Sequence, residues 1–308
     1  MNQRLQTRVP ILLYHRVVPD LFAPALECYR LLQIATSQAA FERQMRYLQA
    51  NYTVIGLHAL AVALQTHQPL PDNACVITFD DSSSDHYHYA YPILKRLGLT
   101  ATFFVEGAHT AGAGSLAVLD RLYYLLDHSP CQSFSLNVSD TIQVQAQRLD
   151  LFSKLSMLQH AGLKGWLKQS VPDEQERILS ALAEALQVRI DPPALSRDLY
   201  LSVAQMQELV QGGMELGAHT MRHPSLLQVD YETARAEICQ SGDFVKRVAE
   251  TDNVAFAYPF GEGSNAPSVH RLVRDYGYYA ACTTFSGLNG YATNPLELHR
   301  VQLTSDSL

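Results

Sequence analysis

A parallel α/β barrel broken by a largely helical insertion is the fold class this sequence predicts, and three observations predict it. Short apolar runs alternate with segments of helical periodicity at both ends of the chain, the pattern of parallel strands joined by helices. The alternation fails from Gly107 to Tyr200, where long amphipathic stretches take over. The length, 308 residues, suits one barrel with an insertion, and it is enough to bury a core without disulfides or a structural metal. The implied division is 1–106 for the first part of the barrel, 107–200 for the insertion and 201–308 for the second part.

The elements follow in order. Val9–Tyr14 reads as a strand, and Gln38–Leu48 sets Phe41, Met45 and Leu48 at helical spacing. Cys75–Phe79 is an apolar run closed by Asp80-Asp81. Tyr89–Leu97 is helix-like and stops at Gly98, and Ala101–Val105 is β-rich. In the insertion Leu151–Leu158 and Gln175–Leu186 are amphipathic, Ser133–Val138 is the one strand-like piece, and Pro192-Pro193 marks the exit. Ser202–Val210 then reads as a helix capped by Ser202, Glu215–Ala218 as a short strand, and Asp230–Arg247 as a long helix capped by Asp230. Val254–Ala257, Tyr278–Cys282 and Leu296–Leu303 complete the strands.

A net charge of -7 argues against nucleic acid and anionic membrane surfaces as partners. The five cysteines, Cys28, Cys75, Cys131, Cys239 and Cys282, are scattered and form no Cys-x-x-Cys pair, so neither a disulfide framework nor a thiolate zinc site is expected. No stretch reaches transmembrane length, and the apolar run after Met1–Arg8 is too short for a signal segment. The expectation is a soluble, cytoplasmic chain.

Chemistry gathers directly after the predicted strands. His15 follows the first, Asp80-Asp81 the run ending at Phe79, and His219-Thr220-Met221-Arg222-His223 the run ending at Ala218. Tyr258-Pro259-Phe260-Gly261 and His299-Arg300 follow two more. In a parallel barrel all C-terminal strand ends open on one face. Each group alone reads as surface histidines or a solvated turn; the collection is the signal. His219 and His223 have the spacing for two imidazoles to reach one divalent ion, and a carboxylate from Asp80-Asp81 would leave positions open for water and substrate. The second carboxylate would stay free as a base. His86 and His88 read as the exposed first turn of a helix, Trp166 as core, and Tyr123-Tyr124 as aromatic surface.

These residues carry a family resemblance. Ile77-Thr78-Phe79-Asp80-Asp81 resembles the first motif of the polysaccharide deacetylases (the nodulation-deacetylase homology domain, carbohydrate esterase family 4). His219 to His223 fits their His-[Ser/Thr]-x-x-His motif, and Tyr258 to Gly261 resembles the third. Ile11 to His15 and Ala101 to Val105 are similar to other stretches of the family. The likeness spans 9–107 and 201–303 and leaves the insertion out.

The resemblance implies a distorted, incomplete (β/α)7 barrel and a metal-dependent hydrolase that removes an N-acetyl group from an amino sugar. It implies Asp80 as the base, and Asp81, His219 and His223 as ligands of one divalent ion, zinc being the usual one. Phe260 would offer a backbone N–H to the oxyanion. His299 would be the general acid, with His15 as the other candidate. Tyr258, Arg222 and Arg300 are candidates for substrate contact. Two positions depart from the family pattern. Ser82 stands for a glycine, which is tolerable unless the turn needs a positive φ. Ala257 stands for an arginine that orients the base, a task that is either absent here or supplied elsewhere, by Arg222 or Arg300. Two other functions compete: hydrolysis of another C–N bond, such as a cyclic ureide, and a catalytically silent glycan-binding protein. A free base beside a ligand set weighs against the second.

Overall fold

Burial on both faces decides the sheet. In the computed structural model, which describes residues 8–137, 143–159 and 162–307, the strand Ala74–Phe79 is buried at all six positions, as a parallel strand covered on both sides must be. Numbered along the chain, the strands are β1 (Ile11–Tyr14), β2 (Arg16–Val18), β3 (Ala35–Ser37), β4 (Thr53–Val54), β5 (Ala74–Phe79) and β6 (Thr102–Val105), followed by β7 (Phe134–Asn137), β8 (Gln143–Ala146), β9 (Glu215–Ala218), β10 (Phe256–Ala257), β11 (Ala281–Cys282) and β12 (Val301–Gln302). Among the described residues β11, β10, β9, β6, β5, β1 and β12 follow one another in a parallel path, with β4 beside β5. Leu298 bridges Cys282 just before β12 pairs with β1. The path therefore curls into a distorted, incomplete (β/α) barrel.

Successive side chains on a strand point to opposite faces. Cys75, Ile77 and Phe79 join an outer core with Phe41, Met45, Leu94 and Val245 of the flanking helices. Val76 joins an inner cluster with Ile11, Phe104, Ala257 and Cys282. The helix Leu57–Thr66 closes this interior at the N-terminal strand ends. There Glu215 accepts hydrogen bonds from the Leu57 N–H at 3.0 Å and the Thr102 hydroxyl at 2.7 Å. Thr78 and Asp80 continue the inward phase of Val76, and so the chain delivers a carboxylate to the barrel mouth.

Residues 107–200 hold the helices Val118–Asp127, Leu151–Leu158, Leu163–Gln169, Pro172–Ala185 and Pro192–Leu199, with an antiparallel hairpin of β7 and β8. They enclose a separate core of Leu122, Leu163, Leu167, Ile178 and Leu182, which also takes in Cys28 and Tyr29 from the helix Glu27–Leu31. The buried Lys154 ties the two together through Glu27 at 2.7 Å and Asp127 at 3.1 Å. Trp166 packs partly buried against this core.

Several local expectations are corrected. Pro192-Pro193 opens a helix capped by Asp191 rather than marking an exit, because proline is tolerated in a first turn. His86 is fully buried rather than exposed; it starts a π-type turn that leads into the helix Tyr91–Leu97. Tyr123 is buried against Tyr29 rather than forming surface. Of Leu296–Leu303 only Val301–Gln302 is paired as a strand, so His299 and Arg300 precede β12 instead of following a strand. The Asn289 side chain explains this: it accepts from the His299 N–H at 2.9 Å and donates to the His299 carbonyl at 2.8 Å, replacing a strand neighbour. Val138, read as a strand end, and Met1–Thr7 lie outside the described residues. Among the described residues no helix is long and apolar enough to cross a membrane, and all five cysteines are free thiols.

Gly217 lets β9 pass the inner Phe104 ring; a Cβ there would lie 2.4 Å from it and 3.2 Å from the Ala255 carbonyl. Gly217→Ala should therefore destabilise the barrel by about 1–3 kcal/mol, the usual cost of overpacking. Urea denaturation checks this, and an unchanged midpoint would contradict it.

Candidate active site

Asp80 still belongs to the ladder, its N–H donating to the Tyr14 carbonyl at 3.1 Å. The residue is 1% exposed, and its carboxylate is gripped by a guanidinium fork, with Arg300 Nη1 to Oδ1 at 2.7 Å and Nη2 to Oδ2 at 2.6 Å. Arg300 is itself fixed by the Thr283 carbonyl at 2.7 Å and, more loosely, by the Thr78 hydroxyl at 3.3 Å. Burial pulls the Asp80 pKa up, but the charges of Arg300 and His219 outweigh it and hold the group below the usual carboxylate range. Of the two candidate arginines, Arg300 is the one that touches Asp80. Arg222 points away: its side chain is 67% exposed and pairs with Glu237 at 3.3 Å.

After Asp80 the chain turns through Asp81 at φ 73° and Ser82 at φ 54°, a region that favours glycine. The turn does need a positive φ, and Ser82 meets part of its cost. Its buried hydroxyl accepts the Glu106 N–H at 2.6 Å, and its carbonyl accepts the Leu201 N–H at 2.8 Å. The turn aims Asp81 across the mouth toward two imidazoles.

Those imidazoles come from the turn after β9, which has Thr220 at φ 63° and His223 at φ 56°. The Thr220 hydroxyl accepts the His223 N–H at 3.0 Å, and the buried Glu237 carboxylate accepts the Met221 and Arg222 N–H groups at 2.7 and 2.9 Å. His219 Nδ1 donates to the Ala257 carbonyl at 2.8 Å, so in the neutral ring the Nε2 lone pair faces the mouth. Burial lowers His219, yet Asp80 and Asp81 raise it to about 9. Burial lowers His223 too, and there it prevails. Burial would raise Asp81, but the hydrogen bond from His219 and the charges of His15 and His223 hold it well below its ordinary value.

Asp81 Oδ1 stands 3.4 Å from His219 Nε2 and 3.5 Å from His223 Nε2. Among the described residues these three form a cluster able to hold a metal ion, their donor atoms all within 4.8 Å of one another. Tetrahedral ligands about 2.0–2.2 Å from one ion lie about 3.3–3.6 Å apart, so two of the three separations fit a shared ion. Asp80 Oδ2 is farther, 3.9 Å from His219 Nε2, and Arg300 already occupies it.

Of the remaining candidates, Phe260 and His15 adjoin this cluster. Phe260, at φ 59°, sets its ring edge-on to His223 at 4.5 Å, with Lys168 Nζ 3.9 Å from the ring centroid. The Nδ1 atoms of His15 and His299 are buried without a hydrogen-bond partner among the described residues. His299 adjoins the Arg300 fork, and His15 lines a small cavity with Asp81, Arg16, Tyr29, Asp120 and Tyr200. Tyr258 is not at the mouth: it is fully buried in the outer core, its hydroxyl donating to the Leu296 carbonyl at 3.1 Å. Asn289, Glu237 and Lys168 were missed in the sequence, because each acts across the fold on a distant segment and belongs to no local pattern.

Known proteins share this fold. A family model described as polysaccharide deacetylase matches residues 67–129 and 159–281, so the match extends into the insertion. YxkH of Bacillus subtilis (strain 168), a curated relative named for polysaccharide deacetylation, is 33% identical over 101 residues. The match spans about a third of each chain, 32% in both cases. Among solved structures, a Streptococcus pyogenes deacetylase, PplD, determined with acetate, has a TM-score of 0.62 at 19% identity, covering 97% of this chain and 94% of that one. IcaB from Ammonifex degensii has a TM-score of 0.58 at 18% identity, covering 97% and 93%. These two likenesses concern the fold.

Ser82→Ala should strand the Glu106 N–H and cost about 1–3 kcal/mol. Thermal unfolding measures the loss, and a variant as stable as the parent would contradict the assigned hydrogen bond.

Proposed function

Because this chain belongs to the polysaccharide deacetylase family, we propose that it is a metal-dependent hydrolase removing an N-acetyl group from an amino sugar of a polysaccharide, glycolipid or glycoside. The observation that carries the reading is the division of the aspartate pair: Asp81 faces two imidazoles at ion-sharing separations, while Asp80 is held apart by Arg300.

Asp81, His219 and His223 would hold one divalent ion, zinc by the chemistry of two nitrogen donors and one oxygen donor. When bound, the ion supplies Lewis acidity and brings the pKa of a water toward about 7. Asp80, kept ionised by Arg300, would accept a proton from the attacking water and stay outside the ligand set. The Phe260 N–H stabilises the negative oxygen that forms as the water oxygen bonds the acetyl carbon. His299 then gives a proton to the sugar nitrogen as the C–N bond breaks, releasing acetate and an amine. His15 is the other candidate for this proton, since it lines a cavity with Asp81 and its charge acts on both Asp80 and Asp81. A silent binding protein would have no use for a buried aspartate kept ionised beside a ligand set.

Asp80→Asn should keep the ion and lose on the order of 10²-fold or more in kcat on an N-acetylglucosamine oligomer. Acetate release and metal content are the measurements, and loss of the ion would instead make Asp80 a ligand. Replacing His219 and His223 together by alanine should abolish stoichiometric zinc uptake; unchanged affinity in equilibrium dialysis would move the site elsewhere.

A further inference from the structure

The helix Leu163–Gln169 of the inserted segment reaches the rim of the site. Its Lys168 lies over the Phe260 ring and pairs with Glu262 at 3.1 Å, and Phe260 touches His223. Lys164 stands four residues earlier, on the same helical face.

Most charged groups at the mouth are partnered: Arg16 balances Asp85, and Asp120 takes hydrogen bonds from the Tyr29 and Tyr200 hydroxyls. Arg300 balances Asp80, Glu262 balances Lys168, and Glu106 pairs with His109. Asp81 faces the histidines. Lys164 is left over, with no carboxylate within 4.0 Å among the described residues. Burial and the like charge of Lys168 lower its pKa, while Asp81 pulls the other way. A partly desolvated cation without a partner is costly. The acetamide to be cleaved is neutral and the amine formed is cationic, so of the reacting groups only the departing acetate could compensate it, and that only after cleavage.

We propose that Lys164 is an anion subsite, and that the acceptor carries a carboxylate or phosphate near the N-acetyl group that is removed. This rests on the reading of the site as an N-deacetylase. The ammonium would donate charge-assisted hydrogen bonds to the anionic group and set the register of the sugar chain across the ion site.

The test compares a neutral N-acetylglucosamine trimer with the same trimer bearing one phosphate, and with one bearing one carboxylate, at low salt. The wild type should favour an anionic trimer by about tenfold in kcat/KM, the worth of one charge-assisted contact. In Lys164→Gln the ratio should fall toward one, while Lys246→Gln on the outer helix Tyr231–Ala249 should keep it. The better of the two anionic trimers identifies the group. A wild-type ratio near one, or a preference that survives Lys164→Gln, overturns the subsite. If no trimer releases acetate, the deacetylase reading fails by itself, and calorimetry still decides the subsite. About tenfold weaker binding of the anionic trimers to Lys164→Gln than to wild type supports it, and equal binding overturns it.

Discussion

The fork that Arg300 makes on Asp80 joins the end of the chain to the centre of the barrel, and the layout of the site follows from it. Both residues are about 1% exposed. Burying two charges costs several kcal/mol per ion, and removing one partner alone costs about 3–5 kcal/mol. Such a pair persists when its geometry is good and its other donors are satisfied, which here means two parallel hydrogen bonds to Asp80 and one to the Thr283 carbonyl. Arg300 lies between Leu298, which bridges β11, and β12, which pairs with β1. The pair therefore ties the last crossing of the barrel to β5. With both oxygens of Asp80 taken by Arg300, Asp81 is the carboxylate left to meet His219 and His223.

Backbone strain accompanies this division. Asp81, Ser82, Thr220, His223 and Phe260 all have positive φ without being glycine, and such conformations cost on the order of 1 kcal/mol or more each. The turns persist because buried acceptors hold them, Ser82 for Glu106 and Glu237 for Met221 and Arg222. The strain aims the side chains. In a continued strand Asp81 would point outward; at φ 73° it turns back across the mouth. Residues 107–200 add a second core beside the rim, and through Lys168 they reach the Phe260 ring.

The barrel was legible in the sequence because each buried parallel strand is a dense apolar run ending in a polar group. Val76, Phe104 and Ala257 announce an interior, and Asp80 and His219 announce its mouth. Less legible was whatever depends on few residues or on distance. β2 and β3 are three residues each and β10, β11 and β12 two each, too short for any period to register. The partner of Asp80 lies 220 positions away, so the sequence left Arg222 and Arg300 as equals. The turn after β9 separates them: it swings Arg222 out to Glu237, whereas Asn289 holds the backbone ahead of Arg300 against the barrel. Tyr258 belongs to the outer core because the side chains of β10 alternate, and its ring packs beside Phe256. Nothing in the local pattern could show that the histidine of Ser82-Ser83-Ser84-Asp85-His86 is buried, since its partner is the distant His15 carbonyl.

The central claim is that Asp81, His219 and His223 share one ion while Asp80 stays on Arg300. Anomalous diffraction at the zinc edge from crystals of the zinc-loaded protein tests it most directly. The account predicts one strong peak bounded by those three side chains at about 2.0–2.2 Å, with the Arg300 fork on Asp80 intact. A peak elsewhere, or an Asp80 carboxylate swung off Arg300 onto the ion, would contradict it.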